Sequence, residues 1–217
     1  MTRIYLRKAI VANMEKYIPL QHRGKQIDLE AHIDLVTESD ARYFFSAAKS
    51  NLLNINKWYD LATLPAATFV LTDTRGQETE KAAAEEGDLV RINIPGPGVA
   101  AGGGYDWVRV EKIHQEATDG MELCVVTLRP TANPSEQGGE TAHFFEESAT
   151  STLMVKRIGP KVIASYHGRN EVVNTDMEKP LDNLRNAVVG WSAKMGLSYP
   201  QWESLIQGLV KKKQITP

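Results

Sequence analysis

The stretch "SYHGRNEVVNTD", residues 165 to 176, gathers the side chains best suited to chemistry in this chain: His167, Arg169, Asn170, Glu171 and Asn174. A histidine exchanges a proton near neutral pH, an arginine offers a fixed planar cation, and a glutamate can act as a base or as a charge partner. His167 and Glu171 are therefore the candidate catalytic pair, with Arg169 and Asn170 as ligand-binding groups. Alternation along a strand puts Tyr166 and His167 on opposite faces, and a bulge at Gly168 is what would let both look into one cavity. The competing reading is local: Arg169 and Glu171 form an ion pair, and Asn174 or Thr175 caps a following helix.

A second candidate is "IPGPGVAAGGGYDW", residues 94 to 107, which holds Gly96, Gly98, Gly102, Gly103 and Gly104. Phosphate loops need such glycines between a strand and a helix, with Lys-Ser/Thr following in one class and Gly-x-Gly-x-x-Gly in the other. Here "YDWVRV" follows, which is a strand, and no Lys-Ser/Thr pair is present. The stretch reads instead as a hairpin loop able to gate a pocket, with Tyr105 and Trp107 at its end. Trp58 and Tyr59 are further pocket candidates, whereas Trp191 and Trp202 fall on helix stripes and are assigned to the core.

Other chemistries find less support. His32, Asp34, His143, Glu146, Glu147 and His167 show no tight ligand spacing, so no metal site is assigned and no cofactor is called for. Serine-nucleophile catalysis lacks its Gly-x-Ser-x-Gly elbow. Cys124, the chain's single cysteine, sits in the apolar run "MELCVVTL" and reads as an inert buried thiol.

These residues must be held by elements the sequence also announces. "EAHIDLVTE" alternates as a half-buried strand, and "TESD" places Thr37 and Asp40 as a capping arrangement. Ala41, Phe44, Phe45, Ala48, Leu52, Ile55 and Tyr59 then step by three and four, giving a helix to about Asp60 that breaks in its asparagine-rich second half. "ATFVLTDT", "DLVRINI", "DWVRVEKI", "MELCVVTLRP", "STLMVKRI" and "KVIASYHGR" follow as short strands separated by turns, which with the first makes about seven, joined mainly as antiparallel neighbours. "GQETEKAAAEEGD" reads as a short exposed helix or a surface loop. Leu181, Leu184, Val188, Trp191 and Met195 place a long helix over 179–194, and "QWESLIQGLVKKK" places another after Pro200.

The order predicts an α+β fold: a curved, mainly antiparallel sheet with a helix pair after its first strand and a long C-terminal helix packed on one face. On "HIDLVTESDARYFFSAAKS" followed by Trp58, on "GDLVRINIPGPG", and on the closing helix from Lys179, the chain resembles the START-like, or helix-grip, superfamily (SRPBCC), which includes polyketide cyclases and pollen-allergen-like proteins. The resemblance covers roughly 27–196, leaving 1–26 as an N-terminal arm and 197–217 as a C-terminal helical extension. It implies a cavity between sheet and helix that holds a small to medium hydrophobic ligand, with the glycine loop near its mouth. A cyclase or aromatase type of enzyme and a non-catalytic interaction module with a filled core are the alternatives, since one fold hosts many functions.

Composition narrows the partners. At 217 residues, 42% hydrophobic and 24% charged, the chain has the make-up of an ordinary globular protein. Twenty-five Lys and Arg against twenty-seven Asp and Glu leave a net charge of -2, which provides no overall field for nucleic acid or an anionic membrane. No membrane span or signal peptide is read from the sequence, and a lone cysteine suits a reducing compartment, so cytoplasmic residence is expected, as a monomer or a homodimer.

Overall fold

The computed structural model describes residues 16–63, 67–94, 102–136, 139–174 and 199–212. Strand β1 (Lys25–Asp34) leads into helix α1 (Glu38–Leu53), a 3-10 turn (Ile55–Lys57) and the short helix α2 (Trp58–Leu61). Six strands follow: β2 (Thr68–Thr72), β3 (Leu89–Asn93), β4 (Asp106–Thr118), β5 (Met121–Pro130), β6 (Thr150–Ile158) and β7 (Lys161–Glu171). A final helix, α3, covers 199–209. The seven strands form one curved, unclosed sheet in the order β1-β7-β6-β5-β4-β3-β2, with every neighbouring pair antiparallel.

The local causes are those the sequence carries. The Thr37 side chain accepts the amide of Asp40 at 3.0 Å and its hydroxyl donates to the Asp40 carboxylate at 2.7 Å, satisfying two groups at the start of α1. Asn54 ends α1, and beyond it the chain continues as the 3-10 turn and α2, so the helix breaks where propensity falls. β1 begins earlier than the strand read from "EAHIDLVTE": its alternation starts at Ile27, and Ile27, Leu29, Ala31 and Ile33 all pack against the core. The segment around "GQETEKAAAEEGD" is a loop of turns tied to β2 by a bridge between Thr72 and Glu78.

One face of the sheet and the helices enclose the main core. Ala41, Phe45, Ala48 and Leu52 of α1 meet Val126, Leu153, Val155 and Ala164 of the sheet. From α3 come Trp202, Leu205, Ile206 and Leu209. Leu205 and Ile206 have almost no exposed surface, so each contributes about 2 kcal/mol of burial. Gly208 permits this docking: a β-carbon there would lie 1.8 Å from the Leu61 carbonyl oxygen, so only a glycine lets α3 approach the end of α2. The helix expected over 179–194 lies outside the described residues, as do Gly96 and Gly98.

Candidate functional site

Strand β7 sets the geometry. Opposite β1, Gly168 pairs with Ile27 while Glu171 pairs with Lys25, so three steps on β7 face two on β1. Asn170 absorbs the extra residue with a φ of 54°, a left-handed conformation that asparagine tolerates better than most residues. Tyr166 lies on the core side. His167 and Arg169 point to the other side, where both meet Asp28. Past the bulge the phase reverses, and Glu171 returns to the side of Tyr166.

On that inner face Tyr166 donates to Glu171 Oε1 at 3.3 Å, and the Tyr199 hydroxyl donates to Oε2 at 3.1 Å. Ser151 Oγ lies 3.1 Å from Tyr166 Oη. Gly168 forms the floor, because a β-carbon there would sit 2.2 Å from Glu171 Oε1 and 3.1 Å from Tyr166 Oη. Glu171 is 5% exposed. Its burial raises the carboxyl pKa above the ordinary value, and the hydrogen bonds from Tyr199 and Tyr166 oppose that rise without cancelling it. Burial also raises the Tyr166 and Tyr199 phenols, with the nearby Glu171 carboxyl acting in the same direction.

Tyr166 and Ser151 of this polar row also line an apolar cleft. Phe69, Ile92, Ile94, Phe144, Phe145 and Trp202 form its walls, while Ser151 and Tyr166 present hydroxyls into it. Trp202 stacks on Tyr166 with ring centres 4.8 Å apart and planes 13° from parallel, and so occupies much of the space between sheet and α3. The enclosed volume is about 30 Å³, enough for about two waters. His143 also lines the cleft, stacked on Phe144 at 4.5 Å. Its Nδ1 accepts the Phe145 amide at 2.9 Å, which places the proton of the neutral ring on Nε2.

The residues singled out from the sequence are scattered. Glu171 is in the inner site, but His167 is on the opposite face, because the bulge falls at Asn170 and not at Gly168; the two are not brought together. Arg169 accompanies His167 outside. Its guanidinium donates to the carbonyls of Ile27 and Gly168 at 3.1 and 2.8 Å and to Asp28 at 2.7 Å, so Arg169 pairs with Asp28 in place of the expected Glu171. Asn170 binds the N-terminal segment: its Oδ1 accepts the amides of His22 and Arg23 at 2.7 and 3.2 Å, and its Nδ2 donates to the Leu20 carbonyl at 3.0 Å. Trp58, expected at a pocket, is fully buried behind the cleft wall, donating to the Leu52 carbonyl at 3.0 Å and packing edge-on against Phe69 and Trp202. Tyr59 is 43% exposed on α2.

Tyr105 and Trp107 also lie away from the inner cleft. Trp107 alternates with Val108, a core residue, and packs instead with Leu89, Ala142 and Tyr105 on the other side of the sheet. Gly102, Gly103 and Gly104 wrap this second cluster: the Trp107 indole donates to the Gly102 carbonyl at 3.2 Å, and Gly103 and Gly104 take positive φ angles of 62° and 92°. Residues the sequence reading missed are Phe144, Phe145, His143 and Tyr199. The adjacent aromatic pair in "AHFFEE" was the available signal, and it gave no direction.

Among the described residues no three His, Cys, Asp or Glu side chains converge as a metal would require, and none of the described helices is long and apolar enough to cross a membrane. Burial pushes the Cys124 thiol up to about 11, so it stays protonated at neutral pH.

The fold thus defines an α+β domain in which helices pack on one face of an open antiparallel sheet. No family model and no curated protein matches the chain. Solved structures with a similar course include a hypothetical protein of Helicobacter pylori, at 11% identity and a TM-score of 0.48 over 90% of this chain and 91% of that one. Norcoclaurine synthase from Thalictrum flavum is similar at 11% identity and a TM-score of 0.35, over 90% and 100%. An aromatase/cyclase from Streptomyces sp. R1128 is similar at 9% identity and 0.38, over 85% and 93%. At such identities and scores these likenesses carry no family, ligand or residue role to this chain.

Proposed function

We propose that this domain binds one small apolar molecule, of one or two rings, in the cleft between the inner face of the sheet and α3. The observation that carries this reading is an aromatic wall onto which the hydroxyls of Tyr166 and Ser151 open, with Tyr166 in turn bonded to the buried Glu171 carboxyl. A mostly apolar pocket with a few aimed polar groups is the usual form of a small-molecule site. The polar end of the ligand faces the Tyr166 and Ser151 hydroxyls, and its rings lie against Phe144, Phe145 and Ile92. Such sites commonly measure 300 to 1,000 Å³, so an enclosed volume of about 30 Å³ requires the Trp202 indole to leave Tyr166 on entry. This favours a compact ligand over a long-chain lipid.

A cyclase-type reaction would draw on Glu171, whose raised pKa suits proton transfer, and not on His167 across the sheet. The small enclosed volume also favours a second reading, a filled-core interaction module that docks a partner chain. Native mass spectrometry of the protein purified from its own host separates them. The binding reading predicts a copurifying small molecule that organic extraction removes; an empty chain carrying only a protein partner would support the module.

A further inference from the structure

His167 and Arg169, which face away from the core, are not simply solvated. Strand register places Asp28, His167, Thr152 and Thr127 in one row across β1, β7, β6 and β5 on the outer face. Over this face runs the N-terminal segment. Tyr17 stacks on His114 at 4.1 Å and donates to Glu116 at 2.6 Å, Tyr17 and Ile18 cover Leu123, Val125 and Met154, and Asn170 fixes the carbonyl of Leu20 and the amides that follow. Between this strap and β1, β6 and β7 lies a cleft of about 500 Å³, within the range of small-molecule sites.

Its donors and acceptors are unequal. Asp28, the one carboxylate among its described lining residues, is already engaged by Gln26 at 2.9 Å, by Arg169 at 2.7 Å and by His167 at 2.5 Å. Gln21, which also lines the cleft, spends its amide on the carbonyls of Arg23 and Gly24 and on the amide of Asn170. Arg169 has five N–H groups and three bonds, all from its terminal nitrogens, so Nε–H and one terminal N–H remain. Among the described residues Lys156 meets only Glu30, at 3.6 Å, a loose pair with an exposed carboxylate that solvent weakens. The field of both cations reaches the ring of His167: burial lowers its pKa, Asp28 opposes this, and Arg169 and Lys156 each push it further down. Ile18, Leu20 and Met154 add an apolar side to the same cleft.

We infer that this outer cleft is a second binding site, independent of the inner one, for a small amphipathic oxyanion: a short-chain carboxylate or an alkyl phosphate. The headgroup takes the unspent N–H groups of Lys156 and Arg169, and the alkyl part lies under Ile18 and Leu20. It does not depend on the inner cleft holding any ligand.

The test is a heteronuclear NMR titration at constant ionic strength with hexanoate, hexyl phosphate and inorganic phosphate. Saturable shifts are expected at Leu20, Lys156, His167 and Arg169, with an alkylated anion binding at least about tenfold more tightly than inorganic phosphate, and the two hexyl probes tell carboxylate from phosphate. Lys156→Gln should weaken binding about tenfold, the worth of one charge-assisted hydrogen bond. Leu20→Ser should remove the advantage of the alkyl chain and leave phosphate binding unchanged; both residues lie outside the main core, and thermal melts report their folding. The pKa of His167, which faces Asp28 on β1, Lys156 on β6, Ser165 and Arg169 on β7 and Gln21 on the strap, should rise when an anion binds. Shifts that stay linear in ligand, that survive Lys156→Gln unchanged, or that fall only on inner residues such as Ile92 and Trp202 would overturn the inference.

Discussion

The hydroxyl of Tyr199 donates to the Glu171 carboxyl at 3.1 Å, joining the end of the last strand to the first turn of α3. That bond exists because the β-bulge at Asn170 turns Glu171 to the side of Tyr166, whose hydroxyl lines the inner cleft.

Glu171 should make stability depend on pH. Its folded pKa lies above the ordinary 4.5, so the folded state holds its proton more tightly than the unfolded state. The sign follows: this group's favourable contribution is present at pH below 4.5 and is lost as pH rises through the folded pKa. Glu171→Gln removes the dependence, so the variant should gain on the natural protein between pH 4 and pH 7.5 in urea unfolding. A constant difference across that range would contradict the assignment.

Asp28 should act with the opposite sign. Burial works to raise its pKa, but hydrogen bonds from Gln26, His167 and Arg169 prevail and hold it at about 2, against an ordinary 3.8. Its contribution is therefore present above pH 3.8 and lost as pH falls toward 2. Asp28→Asn should lower stability at pH 7 and flatten the acid limb of the unfolding curve.

Gly168→Ala places a methyl group 2.2 Å from Glu171 Oε1. The Glu171 carboxyl must move, and the bond to Tyr166 must lengthen. A loss of about 1–3 kcal/mol is expected from such overpacking, measured by chemical denaturation. A neutral result would mean that the Glu171 side chain rotates away at little cost.

Asn170→Gly keeps a residue that accepts a positive φ while deleting the side chain that holds the strap. Amide exchange at His22 and Arg23 should accelerate by about tenfold, as expected for losing bonds worth about 1 kcal/mol each. Strand β7 should keep its protection. Loss of protection throughout β7 would show that Asn170 supports the sheet and not the strap.

Most of the fold was legible because antiparallel strands and amphipathic helices write their periods directly into sequence. "MELCVVTLRP" is β5 to the residue, and Thr37 with Asp40 opens α1 as the capping pattern requires. The site was less legible for a definite reason. Which face a strand residue occupies depends on the phase of the strand, and one bulge reverses it. Gly168 advertised itself as the irregular residue, yet Asn170 carries the positive φ, leaving His167 outside and returning Glu171 to the core side. Phe144 and Phe145 lack any period of their own, since they sit in the connection between β5 and β6 and reach the cleft only through tertiary packing. Trp107 and Tyr105 were placed by their nearness to the glycine loop, but alternation with Val108 sends Trp107 to the far face.

The inner cleft's central property is that Trp202 both walls and fills it. The direct measurement is an NMR titration with 2-naphthol, a two-ring molecule carrying one hydroxyl, followed at the Trp202 indole N–H and the methyl groups of Ile92 and Ile94. The account predicts saturable shifts at all three, and tighter binding to Trp202→Leu even though that variant loses several kcal/mol of stability, about 2–4, from its emptied core. Absence of saturable shifts in both proteins would contradict the claim that this cleft takes a small apolar ligand.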